Sequence, residues 1–352
     1  MTKKKTKTPP VDFGPAEFDD FDTKLFQGRH HARFIDPDTV HHVISRVFQG
    51  RYLMRPSSEI NTIINGVIGR ARRNWPSVEF FAHAFMSNHV HLMVRGPAFE
   101  ITKFIGHLKR EISRRCSPLA KWPRVAFWDP RYIATALTGA ESQEQCLKYI
   151  LSQGVKEGLV EDPVEWPGVH CAKQLFAKER VFGDWFDGTG YGKATYRAER
   201  RKKKKKHEEV DRNKFITKYE VTLDTLPVWR GLTNEQRERE LARMRREIIA
   251  EGKAARNGKK AKGVKYVLSM PRETRTELPK QPWYEERRRM IFWGNAKAAE
   301  TQDYLKRYWE FQAKFRLASD AYLAGNFAVE FPEGSFRPTC IVAAFLPDVL
   351  AA

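Results

Sequence analysis

Two histidines one residue apart, His89-Val90-His91, sit inside the stretch Phe85-Met86-Ser87-Asn88-His89-Val90-His91-Leu92-Met93-Val94. Strand side chains alternate with a period of two, so His89 and His91 share one face, about 7 Å apart along the strand. Val90, Leu92 and Val94 turn to the opposite face, which must be the core side. Two imidazoles at that spacing can converge on one divalent cation. They can equally be two incidental histidines on an exposed sheet face. Further along, Tyr149 and Gln153 lie four residues apart, one above the other on a helix. If that helix crosses the sheet, the pair offers a nucleophilic hydroxyl and an amide oxygen as third ligand. The plain alternative is an amphipathic-helix tyrosine filling the edge of the domain.

These side chains need a scaffold, and the residues before and between them specify one. Thr39 to Phe48 is β-rich. Ser57 and Ser58 offer helix caps ahead of an apolar stripe of Ile60, Ile63, Ile64, Val67 and Ile68, which ends at Trp75-Pro76. Val78–Met86 and His89–Arg95 flank a Ser87-Asn88 turn and read as a hairpin. After Gly96-Pro97 a second helix spans about Phe99 to Cys116, with Phe104, Ile105, Leu108 and Ile112 inward. A short strand near Tyr132–Leu137 and a third helix from Ser142 to Gln153 complete the order β-α-β-β-α-β-α. That order predicts an α+β fold, a ferredoxin-like or RRM-like antiparallel sheet with helices on one face.

Residues 36 to about 185 resemble the single-tyrosine HUH transposases, most closely the REP-associated tyrosine transposases. The matching pieces are His42-Val43-Ile44-Ser45-Arg46, the Met86–Val94 motif, and Tyr149-Ile150 followed by Val155-Lys156-Glu157-Gly158-Leu159-Val160, with Asp162-Pro163 beyond. The chain departs where the family reads Tyr-Ile-x-x-Asn-Pro-Val: Gln153 stands for the Asn and Gly154 for the Pro. The resemblance implies an HUH nuclease domain in which His89, His91 and Gln153 hold Mg²⁺ or Mn²⁺. It implies Tyr149 as the nucleophile that cuts single-stranded, hairpin-bearing DNA through a covalent 5′-phosphotyrosine. Strand joining then needs no nucleotide cofactor, in keeping with the absence of a GxxxxGK[ST] phosphate loop. A competing tyrosine, Tyr132 in Trp128-Asp129-Pro130-Arg131-Tyr132, reads as a packing or base-stacking residue. His41, His42, His83 and His107 have no comparable partners in the sequence, and structural or surface roles are expected for them.

The charge agrees with such a partner. Sixty-three Lys+Arg against 43 Asp+Glu give a net charge of +20, which points to a polyanion. Lys109, Arg110, Arg114 and Arg115 on the second helix, Arg131 ahead of the fourth strand, and Lys148 and Lys156 beside Tyr149 are the expected phosphate contacts. No run of about 18 apolar residues offers a membrane span, and no apolar segment follows the Lys-rich start. Four cysteines, Cys116, Cys146, Cys171 and Cys340, form no CxxC pair, which argues against a zinc ribbon or a disulfide scaffold. A cytoplasmic, nucleoid-associated bacterial protein is expected.

Four parts are expected: a flexible basic arm (1–35), the HUH domain (36–190), a basic linker (191–214) around Arg200–Lys206, and a mainly helical C-terminal region (215–352). In that region residues 232–256 form a charged helix. Tyr304, Tyr308, Phe311, Phe315, Ala318 and Tyr322 make an apolar seam that needs a partner surface, within the chain or in a homodimer. Phe331-Pro332-Glu333-Gly334 is similar to the tail of some longer relatives. The competing functional reading is a non-catalytic or domesticated RRM-like nucleic-acid-binding protein. A small-substrate metallohydrolase would need more carboxylates near the histidines.

Overall fold

Alternation and capping build the first half as the sequence directs. The computed structural model describes residues 31–123, 126–129, 131–202, 209–274 and 291–337. Most of the expected basic arm, Lys203–Lys206 and Cys340 lie outside the described residues. The order is β1 (Val40–Arg46), α1 (Ser58–Asn74), β2 (Glu79–Phe85), β3 (His89–Arg95), α2 (Ala98–Leu119), β4 (Ile133–Leu137) and α3 (Ala140–Leu151). The Ser57 hydroxyl accepts a hydrogen bond from the Ile60 N–H and starts α1. Ile60, Ile64, Val67, Ile68 and Ala71 are its buried stripe. Gly96 lets the chain leave β3 close beside β2, since a Cβ there would lie 2.7 Å from the Ser77 carbonyl oxygen.

The central sheet has the order β2-β3-β1-β4-β7, where β7 is the two-residue strand Phe292–Trp293. All pairings are antiparallel except β4–β7. The register sets Val43 opposite Leu92, His42 opposite Met93 and Ile44 opposite His91. Helices α1 and α2 pack on one face over Val43, Val90, Leu92 and Val94, with Phe104, Ile105 and Leu108 filling the gap. Helix α3 lies across the other face, where Cys146, Leu147, Ile150 and Leu151 bury against Val40 and Met93. The sheet thus carries helices on both sides, and the histidine face is the one that α3 covers.

The rest of the chain packs onto this frame. Strands β5 (Val181–Phe186) and β6 (Ile216–Val221) form a second, antiparallel sheet. That sheet lies so close on α1 that a Cβ at Gly66 or Gly183 would overlap the facing backbone. Helix α5 (Gly188–Lys202) occupies the start of the stretch expected as a linker. A capping box between Thr233 and Gln236 opens α6 (Asn234–Ala255), whose Met244 and Ile248 join the α3 core. Helix α8 (Ala299–Leu323) carries the aromatic seam. Its Tyr304, Leu305 and Tyr308 pack on Ala136, Phe34 and Ile291, so the first half of the seam finds its surface within the chain. Among the described residues no helix is long and apolar enough to cross a membrane. Cys116, Cys146 and Cys171 are buried free thiols.

Candidate active site

The histidine face of β3 and the end of α3 meet. Helix α3 stops at Leu151, two residues short of the expected Gln153, and the chain turns at Gly154 with φ +89°. Gln153 therefore sits in the turn just past the helix. Its Nε2 donates to the Tyr149 carbonyl at 3.1 Å, and its side chain is fully buried. That leaves its Oε1 facing His89 Nε2 at 3.4 Å. The turn itself is fixed from outside: His170 Nε2 donates to the Ile150 carbonyl at 3.2 Å, and the Trp166 ring lies under Gly154.

Each histidine is oriented through its other nitrogen. His89 Nδ1 donates to Asn88 Oδ1 at 2.6 Å, which leaves Nε2 as a lone-pair donor aimed at Gln153. His91 Nδ1 is 3.0 Å from His42 Nε2, and the two rings stack with centroids 5.1 Å apart. Burial pushes His89 and His42 down to about 4 and holds His91 well below the ordinary imidazole range. All three are neutral near pH 7; with His91 Nδ1 donating to His42 Nε2, the lone pairs left to bind are those of His89 Nε2 and His91 Nε2. His42 is the site neighbour that sequence reasoning did not single out: strand β1 places it on the His91 side, buried and hydrogen-bonded to that ring. The available signal was its position at the head of the matching opening strand.

The Tyr149 ring stands edge-on to His91, centroids 5.5 Å apart, and 5.9 Å from His42. The Lys156 ammonium lies 3.8 Å from the Tyr149 ring centroid. Tyr132, the rival tyrosine, is buried in the α1/α2 core on the far face, with the Arg33 guanidinium 3.5 Å over its ring.

Do these residues fit a divalent cation? Two acceptor atoms, His89 Nε2 and Gln153 Oε1, face each other with no proton to share, the arrangement that ligation by a common cation relieves. The hydrogen bonds at both Nδ1 atoms are the orienting contacts that metal-bound imidazoles ordinarily make. Among the described residues no three His, Cys, Asp or Glu side chains gather at a ligating distance. The donor set is thus two imidazoles and an amide oxygen, all uncharged. It fits a divalent ion whose charge is balanced by an anionic substrate.

The expected phosphate contacts divide. Lys156 is at the tyrosine. Lys148 is on α3 but its ammonium sits between Glu247 and Glu251 of α6, 2.7 Å from each. The α2 cations lie on the face of the sheet opposite Tyr149. Arg110, Arg114 and Arg115 converge there on Glu111, and Lys109 donates to the Asp129 carbonyl. Arg115 is largely buried, stacked 4.0 Å over Trp185 and donating to the Phe186 carbonyl. Arg131 is exposed beside β4.

A two-faced α+β sheet with a histidine pair beneath a tyrosine-bearing helix is the class these observations define. Residues 38–153, from just ahead of β1 to Gln153 itself, match the family model described as "Transposase IS200 like". The resemblance read from the sequence is thereby shown for this segment. Solved structures with similarity include a REP-associated tyrosine transposase bound to a REP hairpin, at 16% identity and a TM-score of 0.36, covering 43% of this chain and 86% of that one. A candidate transposase from Deinococcus radiodurans r1 has 21% identity and a TM-score of 0.26, covering 36% of this chain and 98% of that one. No curated protein matches the chain.

Proposed function

We propose that the protein is a transposase that nicks and rejoins single-stranded, hairpin-bearing DNA through Tyr149. One observation carries the reading: the Tyr149 ring stands 5.5 Å from that of His91, over a pair of opposed acceptors on His89 and Gln153. The family match of residues 38–153 and the net charge of +20 support it.

His89, His91 and Gln153 would hold Mg²⁺ or Mn²⁺. When bound, that ion supplies Lewis-acid polarisation of the scissile phosphate and orients it. Tyr149 Oη attacks phosphorus, the bond to the 3′ oxygen breaks, and the products are a 5′-phosphotyrosine and a free 3′-OH. The phenolic proton is lost as the 3′ alkoxide gains one. Attack of a 3′-OH on the phosphotyrosine reverses the exchange and joins strands, so no nucleotide is hydrolysed. Lys156 lies over the phenol ring, where its charge favours a developing phenolate and an approaching phosphate. Neutral His42 holds His91 by its Nδ1.

Incubation with Mn²⁺ and end-labelled hairpin single-stranded DNA tests the proposal. The expected result is a denaturant-resistant protein–DNA adduct whose linked peptide contains Tyr149. Binding without an adduct on any single-stranded substrate would instead make the protein a non-catalytic RRM-like binder.

A further inference from the structure

The strand that completes the central sheet comes from far outside the segment that matches the transposase family. Phe292-Trp293 pairs in parallel with the free edge of β4, and the Thr138 N–H donates to the Trp293 carbonyl at 3.0 Å. The Ala136 N–H donates to the Ile291 carbonyl at 3.1 Å. Gly294 closes the contact, since a Cβ there would overlap Thr138 Oγ1. Helix α8 pins the arrangement: Thr301 Oγ1 donates to Thr138 Oγ1 at 2.7 Å, and Tyr304 and Leu305 bury on Ala136.

This anchoring puts one indole into the candidate active site. The Trp293 ring stands edge-on to Tyr149, centroids 5.9 Å apart, and is 6.2 Å from the His42 ring. Its Nε1 donates at 3.3 Å to Oε1 of Gln145, one helical turn before Tyr149. The Tyr149 ring is therefore bounded by His91 and His42 from the sheet, by the Lys156 ammonium, and by Trp293 from the C-terminal region.

We propose that Trp293 is a positioning residue for the nucleophile. The C-terminal region, through β7 and α8, then serves to hold an indole against Tyr149 and to fix the rotamer from which its hydroxyl attacks. The proposal rests on Tyr149 being the nucleophile. A phenol free to leave its attack geometry loses rate without losing substrate, and misplacement by about 1 Å can cost about 100-fold. Gln145 orients the indole, and the β4–β7 pairing sets its depth.

The test compares Trp293→Ala, Trp293→Phe and Gln145→Ala with the wild-type chain. Adduct formation on hairpin single-stranded DNA in Mn²⁺ is measured at saturating DNA, beside DNA affinity and thermal melting. Trp293→Ala should slow adduct formation at least about 10-fold with affinity unchanged, Trp293→Phe should recover to within about threefold, and Gln145→Ala should fall between. A wild-type rate for Trp293→Ala, or a loss confined to affinity, overturns the proposal. If Trp293→Ala does not fold, Gln145→Ala decides: a severalfold slower rate supports positioning and a wild-type rate overturns it. Tetranitromethane labelling of the metal-free protein, read by peptide mass spectrometry, separates this proposal from the chemistry. Tyr149 should nitrate faster in Trp293→Ala or Gln145→Ala whether or not the wild type forms an adduct. Unchanged nitration sinks the positioning role, whereas an absent wild-type adduct sinks only the nucleophile assignment.

Discussion

The two faces of the central sheet are built from the same strands and differ in almost every physical respect. Strand β3 gives Val90, Leu92 and Val94 to the face under α1 and α2, and His89, His91 and Met93 to the face under α3. The first face is a mainly apolar core that also buries His41 and His83, with the α2 cations at its rim. The second buries His42, His91 and Gln153 as neutral groups held by hydrogen bonds. A buried polar group left unpaired costs about 1–3 kcal/mol, so the second face depends on its pairings, while the packing of Phe104, Ile105 and Leu108 stabilises the first. On the first face Arg110, Arg114 and Arg115 answer to Glu111, and Lys109 to the Asp129 carbonyl. At the second, Lys156 lies over the Tyr149 ring beside Glu157, and Arg46 stands opposite His89.

The comparison is broken most sharply by exchanging its two tyrosines. Tyr149→Phe should abolish the covalent DNA adduct, a loss of at least about a thousandfold, with an unchanged melting temperature. Tyr132→Phe should leave adduct formation at the wild-type rate, because its hydroxyl is buried on the far face. Adduct in Tyr149→Phe, assayed on denaturing gels, would return the choice of nucleophile to the apolar side.

Both faces bury histidine, and acid should find them. On the α1/α2 face burial pushes His41 down to about 4 and His83 down to about 3. The unfolded chain protonates near 6.5, so between that value and the folded one it binds protons that the native state refuses. Stability is therefore fully present above about pH 7 and is lost as pH falls toward 4, on the order of 3 kcal/mol per buried histidine. Urea midpoints at about pH 7 and about pH 5 measure the loss, and His41→Gln should flatten the slope by one histidine's share. An equal slope in that variant would remove His41 from the account.

Legibility followed the same divide. The apolar face was readable because its signal is periodic: the Ile60–Ile68 stripe, the Phe104–Ile112 stripe and the alternation in β3 each fix an element and its inward side. His89 and His91 share that alternation, and the four-residue spacing placed Tyr149 near Gln153 even though the helix stops before it. What periodicity lacks is the choice of sheet face for a whole helix, so it did not say that the α2 cations lie across the sheet from the tyrosine. It also lacks strand neighbours. His42 meets His91 only through the β1–β3 register, and Trp293 arrives on a two-residue strand with no pattern to read.

His42 gives the next test by size. Loss of a partner that orients a ligating imidazole lowers metal affinity about 10- to 100-fold. His42→Ala should raise the Mn²⁺ concentration for half-maximal adduct formation by that factor. His83→Ala on the far face should leave it unchanged. Equal Mn²⁺ dependence in His42→Ala and wild type would reduce the His42–His91 hydrogen bond to packing.

The smallest effects belong to the rim of the apolar face. Arg110 and Arg114 are 66% and 57% exposed and share Glu111, and exposed ion pairs contribute about 0–1 kcal/mol. Lying across the sheet from Tyr149, they reach no phosphate held there. Arg110→Ala and Arg114→Ala should change the adduct rate at saturating DNA by less than about twofold, and any loss should appear in affinity, with a shallower salt dependence. Arg115 is the contrast within the same helix: only 13% exposed, it stacks on Trp185 and holds the Phe186 carbonyl. Arg115→Ala should therefore lower the melting temperature more than either neighbour. A slower rate at saturating DNA in Arg110→Ala or Arg114→Ala would mean that the two faces act together on one substrate, and the division drawn between them would fail.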